Sequence, residues 1–454
     1  MDISSWLDTI YWVIWSWPLP LLITAAGVYM TIVLGGVQFR YLKYAIKIAL
    51  GFSHADEGKG DISHYQALMT ALAATIGIGN IAGVSTALVV GGYGALFWMW
   101  VTALLGMATK YAEAFLAIRY RHKDSLGEMV GGPMFFIEKG LKWHWLAFSF
   151  ALFGVISSFG GGNMLQANSI ADALQHSIAL PHWATGVILA LLVGLTIVGG
   201  IRSIGAVAGW IVPLMALIYF SGALIILSLH ASALPGVLYN IFAHAFTGQA
   251  AVGGFLGATF VRMIQVGVSR GLMTSESGLG TASIAAAAAK TDVPGRQALV
   301  SMTSSFFATI VMCTVTMLVL GVTGVFGSLD ANGKPVTGVA LTMLAFTQDL
   351  GFGGHLVTIS TLFFGFTTLI GWAYYGEKCV EYFFGEKSVR PFRLLFTLII
   401  IPGAILDLDL VWKFSDIFNG LMAVPNLIGI LALSQLVTRE SKAFLTSVDQ
   451  EVGY

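Results

Sequence analysis

Apolar stretches of about 20 residues, the length a helix needs to cross a bilayer, recur almost from end to end of this chain and are joined by short polar links. They fall near 18–36, 66–92, 94–118, 145–170, 183–201, 207–229, 252–289, 298–324, 354–380, 393–411 and 415–437. No water satisfies backbone amides inside a bilayer, so these segments have to be helical. The expected fold is an all-α integral membrane protein of about 11 transmembrane helices. Hydrophobic residues make up 57% of the sequence and charged residues 10%, whereas soluble domains carry about 25% charge. That excludes a water-soluble core. The 23 Lys plus Arg balance 23 Asp plus Glu, so no basic surface for nucleic acid is expected.

The placement of the charges orients the spans. Counting outward from Arg40, 19 of the 23 basic residues collect on one side of an eleven-span arrangement, Lys334 and Lys413 lie on the other, and Arg262 and Arg270 fall inside span seven. Positive charge marks the cytoplasmic side, which predicts a multi-pass cell-membrane protein with its N-terminus outside and its C-terminus in the cytoplasm. The opening MDISSWLDTI is acidic where a cleaved signal needs positive charge. Trp6, Trp12, Trp15 and Trp17, with Tyr11, read as an interfacial helix.

Two spans are too long for one straight crossing, and both are interrupted. Span two is broken by ATIGIGN, residues 74–80, and span seven by GVSRGLMTSESGLG, Gly267 to Gly280. With the first helix set aside, the remaining spans form two sets of five, each starting with its broken helix and the two running in opposite senses. Paired interruptions at matching places of inverted repeats point to a mid-membrane binding site in a secondary transporter. The expected organisation is an N-terminal segment with accessory helix (1–65), a first repeat (66–250), a second repeat (251–438) and a cytoplasmic tail (439–454). No GxxxxGK[ST] loop occurs, the nine histidines show no ligand-pair spacing, and Cys313 and Cys379 suit neither a disulfide framework nor a zinc site. An enzyme is not expected.

Several segments also resemble a known family. GGYGALFWMWVTALLG (91–106) looks like the signature of the alanine or glycine:cation symporters, and TIGIGNIAGVSTAL (75–88), GGPMFFI (131–137), NMLQANSIA (163–171), SGLGTASIAAAAAKTD (277–292) and GWAYYGEKC (371–379) are similar to its other recurrent blocks. The resemblance runs along nearly the whole chain. It implies a leucine-transporter-type fold, alanine or glycine as substrate and Na⁺ as coupling ion. Departures sit on the broken helices: Ile78 where many members carry threonine, Tyr93 for proline, and SESGLGTASIAAA where NEAGLGSAPIAHA is more usual.

Residue roles follow from the helix ends and from that resemblance. Amides around Thr75, Gly77, Ile78, Gly79 and Asn80 would face a cavity at the positive end of a half-helix and receive the substrate carboxylate. Carbonyls near Ala73 and Ile76 would suit a cation, together with the Phe364 carbonyl and the hydroxyls of Thr367 and Thr368, which match the fold's cation-binding pair. Trp372, one turn after Thr368, would wall the substrate pocket, and Gln166 or Asn163 would bond the substrate. Thr274, Ser275 and Glu276 read as a cap for the inner half of span seven, and Lys110 and Glu113 as a local pair. Arg262 and Arg270 have to face protein or water. Sodium-coupled symport of small neutral amino acids by alternating access is the leading expectation. Proton coupling through Glu276 or Glu113, and a channel or sensor without net transport, stay open.

Overall fold

The computed structural model describes residues 3–51, 58–125, 127–247, 259–406 and 408–452. His54 and the expected start of span seven, 252–258, lie outside the described residues. Helices dominate, and the strand structure is a small antiparallel pair, His122–Lys123 with Met129–Val130.

Among the described residues, eight helices are long and apolar enough to cross a membrane: Thr9–Val33, Gly94–Tyr120, His144–Ile178, Gly200–Leu229, Pro294–Val322, Gly353–Phe384, Glu386–Ile405 and Val411–Ala432. The other three expected spans are built differently. Span five is the 16-residue helix His182–Ile197. Span two is a pair of short helices, His64–Thr75 and Ala82–Gly91, and span seven a second pair, Phe260–Ser275 and Thr281–Ala287. Helix length alone therefore gives eight crossings, and a count of eleven depends on counting the 16-residue helix as a crossing and each short pair as one interrupted crossing.

Side chains that would meet lipid are apolar and exposed, as on the Gly200–Leu229 helix with Trp210, Leu217 and Leu224. The Gly353–Phe384 helix lies at the centre, with Phe364, Thr367, Gly371 and Tyr375 among its buried residues. The N-terminal helix Ile3–Trp15 differs from the expected interfacial helix in one respect. Trp6 and Trp12 are exposed, but Trp15 is buried and donates its indole N–H to the Asp416 carbonyl at 3.0 Å.

The second interruption is shorter than the glycines of 267–280 suggest. Phe260–Ser275 is continuous helix through Gly267 and Gly271. A Cβ on Gly267 would stand 2.6 Å from Trp98 Cβ and 2.7 Å from the Ala95 carbonyl oxygen, and one on Gly271 3.0 Å from Met99 Cα. These glycines bring two helices into backbone contact, as small residues do in membranes. They do not break the helix. The true break covers Glu276–Gly280, where Glu276, Gly278 and Gly280 have φ of 50°, 87° and 80°.

At one end of the molecule the two broken spans are clamped together. Backbone bonds join Asp61 to Ala288 (2.8 Å) and Lys290 to Ile62 (2.8 Å). Arg121, just past the Gly94–Tyr120 helix, donates to the carbonyls of Ala287 (2.8 Å), Ala289 (2.7 Å), Lys59 (2.7 Å) and Thr291. One guanidinium thus satisfies four carbonyls from both chain segments. Removing the small residue at the helix contact tests this packing: Gly267→Val is expected to destabilise the protein by about 1–3 kcal/mol through overpacking, read as a lower melting midpoint in detergent, and an unchanged midpoint would mean the helices separate there without cost.

Candidate functional site: the two helix breaks

The His64–Thr75 helix starts on a capping box, with Ser63 accepting from the Gln66 amide and the Gln66 side chain accepting from Ser63 N–H. Its last regular bond is Ile76 N–H to Leu72 O at 2.7 Å. The next amide, Gly77, turns to Asn80 Oδ1 at 3.1 Å, and that of Ile78 points to Gln166 Oε1 at 3.4 Å. The Ala73 carbonyl therefore loses its helical donor. Thr368 takes the place, its Oγ1 lying 3.2 Å from Ala73 O and 2.8 Å from Phe364 O. Three oxygens converge there, served by the Thr368 hydroxyl proton and, at Phe364 O, also by the Thr367 hydroxyl at 3.1 Å. Gly77 makes room: a Cβ on it would meet Thr368 Oγ1 at 2.5 Å and Gln166 Oε1 at 3.3 Å.

The break is held from two sides. Asn80 Nδ2 donates to the Ala308 carbonyl at 2.8 Å, an atom offered by the wide helical turn Phe306–Cys313. Gln166 Nε2 donates to the Gly161 carbonyl at 2.9 Å, again from a wide turn, Gly160–Met164. Such widened turns leave carbonyls without regular helical partners and concentrate at functional sites.

At the second break Glu276 adopts the left-handed conformation that ends the helix. Its carboxylate accepts from Trp372 Nε1 at 3.0 Å and Thr281 Oγ1 at 3.0 Å, and Thr75 Oγ1 lies 3.3 Å from the same group. One buried carboxylate thus joins both breaks to the central helix. Gly278 N–H donates to Glu113 Oε1 at 2.9 Å, and Asn426 Nδ2 donates to the Gly278 carbonyl at 2.8 Å. Ser277 pairs with Ser305 at 2.7 Å, and Thr274 with Thr309 at 3.0 Å. Toward the N-terminal helix, a cavity of about 90 Å³ is lined by Arg262, Arg270, Ser269 and Trp15 among others. Arg270 sits 3.9 Å from Asp416 and over the Trp412 ring.

Comparison with known proteins decides the family. The model of the sodium:alanine symporter family matches residues 1–452. The chain belongs to that family. It is 49% identical to the sodium/alanine symporter AgcS of Methanococcus maripaludis over 98% of each chain, and 35% identical to the probable sodium/glutamine symporter GlnT of Bacillus subtilis over 95% of this chain and 90% of that one. Among solved structures it resembles MhsT in complex with L-phenylalanine, with a TM-score of 0.60 at 14% identity over 83% of this chain and 89% of that one. The fold is thus of the leucine-transporter type, and the chain is a multi-pass membrane protein and a secondary transporter, not an enzyme.

Within this family member, the structure gathers most of the residues singled out from the sequence. Thr75, Gly77, Ile78, Asn80, Gln166, Ala73, Phe364 and Thr368 meet around the first break, and Trp372 reaches the second. Gly79 approaches Thr274, 3.8 Å from where a Cβ would stand. Thr367 diverges from Thr368: its hydroxyl contacts Phe364 O at 3.1 Å and Met215 Sδ at 3.6 Å, because adjacent residues of a helix point about 100° apart. Asn163 bonds the Phe396 carbonyl instead of the break.

Two local expectations change. Gly280, with no capping side chain, starts Thr281–Ala287, and Glu276 reaches the Thr281 hydroxyl where a backbone cap was expected. Lys110 donates to Ser304 at 2.7 Å while Glu113 turns to Gly278 and Asn426, so the two do not pair. Thr281, Ser305, Thr309 and Asn426 were missed; the one signal for Asn426 was an amide at membrane depth in LMAVPNLIG. Removing the shared carboxylate tests its part in holding the breaks. Glu276→Ala leaves buried donors without an acceptor and is expected to cost about 3 kcal/mol, with Glu276→Gln costing less; equal melting midpoints for wild type and Glu276→Ala would contradict that role.

Proposed function

We propose that this chain is a sodium-coupled symporter of small neutral amino acids, alanine and glycine, working by alternating access between the two breaks. The observation that carries the reading is the cluster of Ala73 O, Phe364 O and Thr368 Oγ1 beneath Gly77. A hard monovalent cation is held by such neutral oxygens, and this cluster has more lone pairs than protons. In this reading Ala73, Ile76, Phe364, Thr367 and Thr368 serve Na⁺, while Thr75, Gly77, Ile78, Gly79, Asn80, Gln166 and Trp372 serve the amino acid. Gln166, which now accepts the Ile78 amide, would yield that amide to the substrate carboxylate. The similarity to AgcS, a sodium/alanine symporter, and to GlnT, a probable sodium/glutamine symporter, supports the ion and the substrate class.

Segments 66–250 and 251–438 are the inverted repeats, 1–65 the accessory segment and 439–454 the cytoplasmic tail. The excess of basic residues puts the N-terminus outside and the C-terminus in the cytoplasm of a cell-membrane protein. On that orientation the Arg121 clamp closes the inner side, and transport requires Arg121 to release the carbonyls of both broken spans.

Purified protein in proteoliposomes is expected to accumulate alanine when an inward Na⁺ gradient is imposed and not when a proton gradient replaces it. Uptake that merely equilibrates would indicate a channel, and binding without accumulation a sensor. Thr368→Ala removes one ligand of the cluster and is expected to raise the Na⁺ concentration for half-maximal uptake about tenfold, the equivalent of about 1.4 kcal/mol; unchanged Na⁺ dependence would defeat the cation assignment.

Substrate size should follow Trp372. Its indole is fixed at Nε1 by Glu276 and lies against Gly162, where a Cβ would stand 2.8 Å from the ring atom Cδ2. Trp372→Leu is expected to admit larger apolar amino acids and weaken glycine, since overpacking costs about 1–3 kcal/mol for a side chain too large for its site. A competition panel with an unaltered order would assign the size limit to another residue.

A further inference from the structure

Beside the second break, apart from the oxygens assigned to substrate and cation, two buried atoms make no close hydrogen bond among the described residues: Oε2 of Glu113 and Oδ1 of Asn426. Glu113 is 1% exposed and Asn426 0%. The two groups are already joined at their other atoms. Asn426 Nδ2 donates to Glu113 Oε1 at 2.8 Å and to the Gly278 carbonyl at 2.8 Å, and Gly278 N–H donates to the same Oε1 at 2.9 Å. Turning the Asn426 amide over offers no relief, because its oxygen would then face two acceptors, Glu113 Oε1 and Gly278 O. The Gly280 amide also lies close enough to act on the Glu113 carboxylate, but an ionised Glu113 would still keep a carboxylate oxygen without a close hydrogen bond in a dry interior, which is costly.

We propose that Glu113 is a proton-binding site, its proton carried on Oε2 and donated to Oδ1 of Asn426. A carboxylic acid and a primary amide joined by one N–H···O bond then close a ring with one O–H···O bond. The same proton satisfies both orphaned oxygens. Charge balance agrees. Lys110, one turn earlier on the same helix, is buried and lies close enough to act electrostatically on both Glu113 and Glu276. The Pro294–Ser305 helix contributes Ser304 and Ser305 there, and the Leu408–Ala432 helix contributes Asn426, none of which titrates. With Lys110 and Glu276 both charged, a protonated Glu113 leaves the three groups balanced; without the proton, one ammonium faces two carboxylates. Loss of the proton sets two lone-pair-bearing oxygens against each other and pushes the Leu408–Ala432 helix away from the break. Proton occupancy thereby controls how firmly the break is held, whichever solute the chain carries.

Infrared difference spectra of the purified full-length protein, wild type minus Glu113→Gln at neutral pH, test the assignment. A C=O band of a protonated, hydrogen-bonded carboxylic acid, shifted in deuterium oxide, is expected. Its absence overturns the proposal. The introduced glutamine can supply an N–H where the acid supplies its O–H, so Glu113→Gln should lose the part of the wild-type stability that falls away as pH rises, while Glu113→Ala should melt lower at every pH. If the two variants melt alike, or if Glu113→Gln raises the Na⁺ concentration for half-maximal uptake about tenfold, the carboxylate acts as an anion for a metal cation and the proposal fails. Asn426→Leu gives an independent check: the acid band has to move to the position of a free carboxylic acid, and an unmoved band refutes the ring. Infrared and melting readouts decide the matter even if alanine is not transported, which would count against the proposed symport alone.

Discussion

A peptide group that leaves a helix inside a bilayer has nowhere to place its N–H or C=O except on another part of the protein. Both breaks obey this constraint with side chains that are distant in sequence. Thr368 takes Ala73 O, and Gln166 takes the Ile78 amide. Glu113 and Asn426 hold the second turn through the two backbone groups of Gly278, and Glu276 accepts from Thr75 and Trp372. The breaks are therefore rigid only while these partners stay in place, and the partners are spread over several helices. Moving any of those helices frees polar backbone at the centre of the protein.

That dependence links binding to movement. The oxygens around Thr368 and the carboxylate of Glu276 meet the central Gly353–Phe384 helix one turn apart, since that helix carries both Thr368 and Trp372. On the proposed reading, a cation at Ala73, Phe364 and Thr368 and an amino acid beside Trp372 act on one rigid element at neighbouring turns. Wide helical turns at Gly160–Met164 and Phe306–Cys313 give the neighbouring helices carbonyls to exchange. Arg121 performs the corresponding task at the far end, where it holds the carbonyls of both broken spans on one guanidinium.

Much of this was legible in the sequence because a bilayer constrains it so strongly. Apolar runs mark the helices, and glycine-rich polar stretches within overlong runs mark the breaks. Gly77 and Gln166 could be singled out because small or polar residues at membrane depth need a reason to be there, and Thr368 through its resemblance to the fold's cation-binding pair. The extent of the second break could not be read. Gly267 and Gly271 look like helix breakers in sequence, and only their contact with Ala95, Trp98 and Met99 reveals them as packing residues. Lys110 and Glu113 likewise have the spacing of a local pair, but each finds a better partner on another element.

The sequence by itself determined an all-helical membrane protein with two interrupted spans, because hydrocarbon admits no other way to satisfy so long an apolar backbone. It determined which residues at those interruptions carry oxygen and amide groups. Only the tertiary structure decided which of them meet. Glu276 faces Thr75 and Trp372, and Glu113 faces Asn426, because helix packing sets side-chain neighbours across hundreds of residues, and no local spacing rule encodes those distances.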